Sequence, residues 1–155
     1  MILSNMQKTL QVVHEEKLLA LNQESEEYGL TLTREDAAAI IEARAYTLRL
    51  YDRIDMGVSV AEKIIYKFCQ SQHIDQDDYG DIISEIQDIF YYMKNETEDA
   101  VSDDKLIDIL WKFYEKACRG SIDAVRTRAD VLCQRYRRIA AIREMRKNRD
   151  DHSSQ

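Results

Sequence analysis

Leu106–Cys118, LIDILWKFYEKAC, decides the fold. Wound at about 100° per residue, it carries apolar side chains over more than half of its circumference. Leu106, Leu110, Phe113, Tyr114 and Ala117 form a central stripe, with Ile109 on one flank and Ile107, Trp111 and Cys118 on the other. Lys105, Asp108, Lys112, Glu115 and Lys116 are left to face water. So wide an apolar arc needs neighbours on both sides. The expected architecture is therefore all-α: a single-domain bundle of about six helices around a central buried helix near 103–119.

Size and composition agree with this. A chain of 155 residues fits one domain, which buries about 70% of the surface its unfolded form exposes. Its 45% apolar and 33% charged content is that of a globular protein, and the absence of proline favours long helices. The bundle is expected to occupy 1–148, followed by a frayed polar tail at 149–155. The N-terminus lacks the pattern of a secretory leader, and no run approaches the roughly 18 apolar residues of a membrane span. The expected place is the cytoplasm, with no membrane association. Cys69, Cys118 and Cys133 are odd in number and lack CxxC spacing, so they read as reduced core thiols.

Working outward, residues 2–22 offer a first helix with Leu3, Met6, Leu10, Val13 and Leu21 on one stripe and His14 at the edge of the core. Tyr28, Leu30 and Leu32 alternate with Gly29, Thr31 and Thr33 as a short extended connector. Thr33 with Asp36 is a capping box, opening a helix to about Tyr51 that turns Ala37, Ile41, Ala45 and Leu48 inward. The next helix, 58–72, buries Ala61, Ile64, Ile65 and Phe68. Asp75 with Asp78 repeats the start signature for a helix to about Lys94, in which Ile82, Ile83, Ile86, Ile89, Phe90 and Met93 share one arc. Tyr91 points nearly opposite that arc and Tyr92 sits at its edge, so both are candidate partner contacts. Ser102 caps the 103–119 helix, and Gly120 ends it. Ser121 caps a last helix of about five turns.

Motifs of chemistry are sparse. Asp75 to Ile82 imitates a calcium loop, but Tyr79 stands where an oxygen ligand belongs, and Ile86 where the closing glutamate should be. Cys69 and His73 have i, i+4 spacing without a second ligand pair. No GxSxG, HExxH or phosphate-cradling glycine loop occurs. The chain is read as non-enzymatic, with no catalytic residues, cofactor or metal.

Charge is segregated. From Asp75 to Asp104 eleven acids face the single base Lys94, whereas the last helix is rich in arginine. Arg128, Arg135 and Arg146 fall within about 20° of one another and Arg138 and Arg149 widen the row. These five are candidate phosphate contacts. The expected function is protein–protein interaction or scaffolding, with a protein partner or a second copy; nucleic-acid binding through the arginines is the alternative.

The segments LTLTREDAAAIIEARA, IFYYMKNET, SDDKLIDIL and ACRGS resemble an uncharacterised family of small helical proteins from Gram-positive bacteria, a domain of unknown function. The resemblance covers roughly 25–125, and Phe90-Tyr91-Tyr92 with Lys94-Asn95-Glu96-Thr97 is its most specific part. It implies a bacterial cytoplasmic protein and brings no activity, cofactor or site residues. The arginine-rich helix after Ser121 departs from the family pattern.

Overall fold

Four helix starts are set by hydroxyl side chains. Ser4 and Thr33 form full capping boxes with Gln7 and Asp36; Ser102 accepts from the Lys105 amide and Ser121 from that of Ala124. Each such cap is worth about 1 kcal/mol. The computed structural model describes residues 4–153, with no strand among them. Its helices are α1 (Asn5–Ala20), the single turn α2 (Asn22–Ser25), α3 (Arg34–Leu50), α4 (Ser59–Phe68), α5 (Tyr79–Glu96), α6 (Asp103–Lys112) and α7 (Ile122–Ser153). Short 3-10 turns at Glu26–Tyr28 and Gln76–Asp78 complete the connections. The all-α, single-domain bundle read from the sequence is what forms.

In space α1, α3, α5 and α7 follow one another, while α4 and α6 pack on each other and on α5. The hub is thus α5, which touches α3, α4, α6 and α7. The segment 103–117 buries Leu106, Ile107, Leu110 and Tyr114 but leaves Ile109, Trp111 and Phe113 half-exposed. Its central place in the expected bundle passes to α5. The regular helix then loosens: Phe113–Ala117 is a π turn, closed by the Cys118 amide on the Phe113 carbonyl at 2.7 Å. That extra residue per turn rotates Ala117 out to solvent.

The π turn is tied to the loop before α5. Glu115 accepts from Ser71 Oγ at 2.6 Å and from the Gln72 amide at 3.1 Å, and Tyr114 donates to the His73 carbonyl at 3.4 Å. The connector at 30–32 is held by side-chain amides acting as strand partners. Asn22 bonds both backbone groups of Leu32 and Gln76 both of Thr31, at 2.7–3.0 Å.

Both ends of the chain differ from expectation. On α1 the residues turned inward are His14, Glu15 and Leu18, whereas Met6, Leu10 and Val13 are exposed; Leu3 lies outside the described residues. The first turns of α1, from Asn5 to Leu10, are exposed along their length. At the other end α7 continues through Ser153 instead of fraying at 149, and every residue described from Arg137 to His152 is exposed. Its packed first half nucleates the helix, and the following residues include neither glycine nor proline to stop it. Asp75 and Asp78 make no side-chain cap; the 3-10 turn between them delivers the chain into α5.

Candidate interaction surfaces

Tyr91 is 3% exposed, so it is not a surface contact as expected. Because α5 is the hub, the side of it opposite the isoleucine arc is also covered. The Tyr91 hydroxyl donates to Asp55 Oδ2 at 3.2 Å, its ring meets Phe90 edge-on at 5.1 Å, and burial pushes the phenol well above its usual range. Tyr92 is half-buried between α5 and α7 and donates to the Asp130 carboxylate; that bond, with some burial, pushes its phenol up to about 12. Both tyrosines therefore bind the fold together.

Five of the eleven segregated acids are engaged inside the molecule. Asp103 pairs with Lys94 and Asp104 with Lys63, at 2.7 and 2.8 Å; Asp99 pairs with Arg53 and Glu96 with Arg137. Asp88, whose carboxyl is raised by burial, accepts from Thr47 at 3.0 Å. Apart from Lys94–Asp103, these link elements that are not neighbours in the chain, and the exposed ones contribute little to stability.

The five candidate arginines, Arg128, Arg135, Arg138, Arg146 and Arg149, are all exposed on α7, and none makes an ion pair among the described residues. Arg128 stays at the bundle, its guanidinium 6.0 Å from the Phe113 ring. Arg135 and Arg138 share a shallow hollow with Val131 and Gln134. Beyond them α7 leaves the bundle as an arm of about 22 Å, at about 1.5 Å per residue. Val131, Arg135, Arg138, Ile142, Met145 and Arg149 advance by alternating steps of four and three, which places them on one seam. Val131, Ile142 and Met145 are 51%, 44% and 63% exposed. Sequence reasoning saw the arginine row and missed these apolar residues between them, although the same spacing reveals them.

Outside the arm, the 52–57 turn exposes Ile54 and Met56, and a groove of about 500 Å³ runs between α1 and α3. Leu10, Ile41 and Ala45 supply its apolar wall, with His14 and Arg44 also lining it. Arg44 is 6% exposed; its Nη2 donates to the carbonyls of Asp55 at 2.6 Å and Gly57 at 2.5 Å, pinning the turn. Burial first, then the Arg44 and Lys17 charges, hold the His14 ring below its ordinary pKa.

Cys69 and His73 have separate local partners: the thiol donates to the Tyr66 carbonyl at 3.3 Å, and His73 Nε2 contacts the Glu115 carbonyl at 3.1 Å. Among the described residues no three His, Cys, Asp or Glu side chains are grouped to hold an ion, and no helix is long and apolar enough to cross a membrane. The three cysteines are free.

The fold and these surfaces define a small all-α bundle carrying a projecting basic helix. The chain belongs to a family of unknown function, DUF6323, which matches residues 17–141. That span exceeds the 25–125 resemblance and includes α7 as far as Ala141, so the helix does not part from the family pattern at Ser121. Comparison with curated proteins and with solved structures returns no match.

Proposed function

We propose that this protein is a non-enzymatic interaction module whose contact element is the outer half of α7. The observation that carries the reading is the exposure of Ile139, Ile142 and Met145 at 42%, 44% and 63% on the outer part of α7. A helical segment of this length is marginal in water by itself and gains order when a partner covers its apolar seam. Arginines interspersed along that seam suit a partner with a hydrophobic groove and an acidic rim. Three free thiols fit a reducing compartment, and we place the protein in the cytoplasm. Ile142→Asp with Met145→Asp leaves the bundle untouched because both side chains are in solvent. Affinity purification from the source cell is expected to lose the partner with this double variant while circular dichroism stays unchanged; retention of every partner would overturn the proposal.

A second reading rests on a separate observation. From Arg135 to Arg149 seven cations face the single acid Glu144, which suits a phosphodiester backbone. Replacing Arg135, Arg138, Arg146 and Arg149 by glutamine is then expected to abolish an electrophoretic shift seen at about 50 mM salt. Absence of any shift for the unaltered protein would eliminate it.

A further inference from the structure

Arg44 is a buried cation without a counter-anion in contact. It is 6% exposed, yet no ion pair reaches it among the described residues. Its hydrogen bonds come from Nη2 alone, both to backbone carbonyls, and Nε is buried with no acceptor. A buried guanidinium held only by neutral carbonyls is costly. Asp55, whose backbone carbonyl Arg44 holds, turns its carboxylate to Tyr91 and makes no ion pair with Arg44. Pinning the 55–57 turn accounts for Nη2 and leaves Nε unexplained.

Arg44 lines the groove between α1 and α3, whose volume of about 500 Å³ lies within the range of small-molecule sites. Leu10, Ile41 and Ala45 make one wall apolar; Arg49 adds a second cation, and Glu42 is the acid of the lining. We propose that this groove binds a small organic carboxylate with a short apolar chain, its carboxylate on Arg44 through Nη1, which neither backbone carbonyl engages, and its chain along Leu10, Ile41 and Ala45. The planar fork of a guanidinium matches a carboxylate better than a point charge does. His14, buried in the same lining, lends a polar ring that carries no charge near neutrality and so leaves Arg44 as the charged anchor. The site is on the α1 flank of the bundle and α7 is on the other, so it stands or falls independently of the arm.

The test is a titration of the full chain with hexanoate, acetate and hexanol, followed by calorimetry and by amide shifts of residues 41–49. Hexanoate is expected to bind saturably with a dissociation constant below about 10 mM, acetate more weakly for lack of the chain, and hexanol about tenfold more weakly for lack of the charge. Arg44→Gln is expected to abolish the preference for hexanoate over hexanol. Because that change also loosens the 55–57 turn, Ala45→Trp serves as a second variant that fills the groove with Arg44 in place; it is expected to weaken hexanoate about tenfold. No saturable binding of hexanoate, equal binding of hexanol, or unaltered binding to Ala45→Trp would each overturn the proposal.

Discussion

At the scale of single residues, close approach explains what composition does not. A Cβ on Gly80 would lie 2.5 Å from Asp36 Oδ1 and 2.6 Å from its Cγ, and the same carboxylate closes the capping box on the Thr33 amide. Gly80→Ala is therefore expected to destabilise by about 1–3 kcal/mol, through crowding and partial loss of the cap, as read by urea unfolding. Alanine's better helix propensity works in the opposite direction by less than about 1 kcal/mol, so it does not reverse the sign. Tyr91→Phe removes a phenol donor from Asp55 and is expected to cost about 1 kcal/mol without altering any partner binding, since the ring is internal. The Thr33 and Asp36 box was legible because both members lie within one turn. Tyr91 was not, because helical phase identifies one covered face and says nothing about whether the opposite face is also covered.

At the scale of elements, the helices announce themselves by apolar spacing and by hydroxyl starts, whereas the π turn does not. It depends on Glu115 and Tyr114 reaching a loop some forty positions earlier, at Ser71, Gln72 and His73. Glu115→Ala is expected to release that loop and cost about 1.5–3 kcal/mol, as hydrogen bonds to a charged group do, with faster hydrogen exchange at Gln72 as the local readout. The α7 arm behaves oppositely. Ending the chain after Arg138 removes residues with no burial in the bundle, so the thermal midpoint is expected to stay within about 2 °C while the helical circular-dichroism signal falls. A larger drop in midpoint would mean that the arm packs back on the bundle.

At the scale of the whole molecule, one titrating group links stability to pH through three elements. His14 on α1 is held below its unfolded value of 6.5 by burial and by Arg44 and Lys17, with the Met56 backbone bond and Asp55 opposing. The unfolded chain thus takes up the proton more readily, so the stability His14 contributes is complete above its unfolded pKa. It is lost as pH falls through the lower, folded value. His14→Gln is expected to flatten the decline in urea stability between about pH 7 and 5; an equally steep decline would assign it to other groups. The charge segregation of the sequence also resolves at this scale. Four acids of the stretch pair with Lys63, Lys94, Arg53 and Arg137, and among the described residues none pairs with Arg138, Arg146 or Arg149 on outer α7.

The sequence by itself determined the all-helical class, the capped starts at Thr33, Ser102 and Ser121, the glycine stop at Gly120 and most of the isoleucine core of α5. Each follows from interactions within a turn or two of chain. Only tertiary structure decided that α5 is the hub, that Tyr91 faces inward to Asp55 and Tyr92 across to Asp130 on α7, that α7 outruns the bundle, and that Arg44 is buried beside a groove with Nε unsatisfied. Those outcomes depend on which remote segment covers a given face, and helical periodicity encodes how dry a face must be without naming its neighbour.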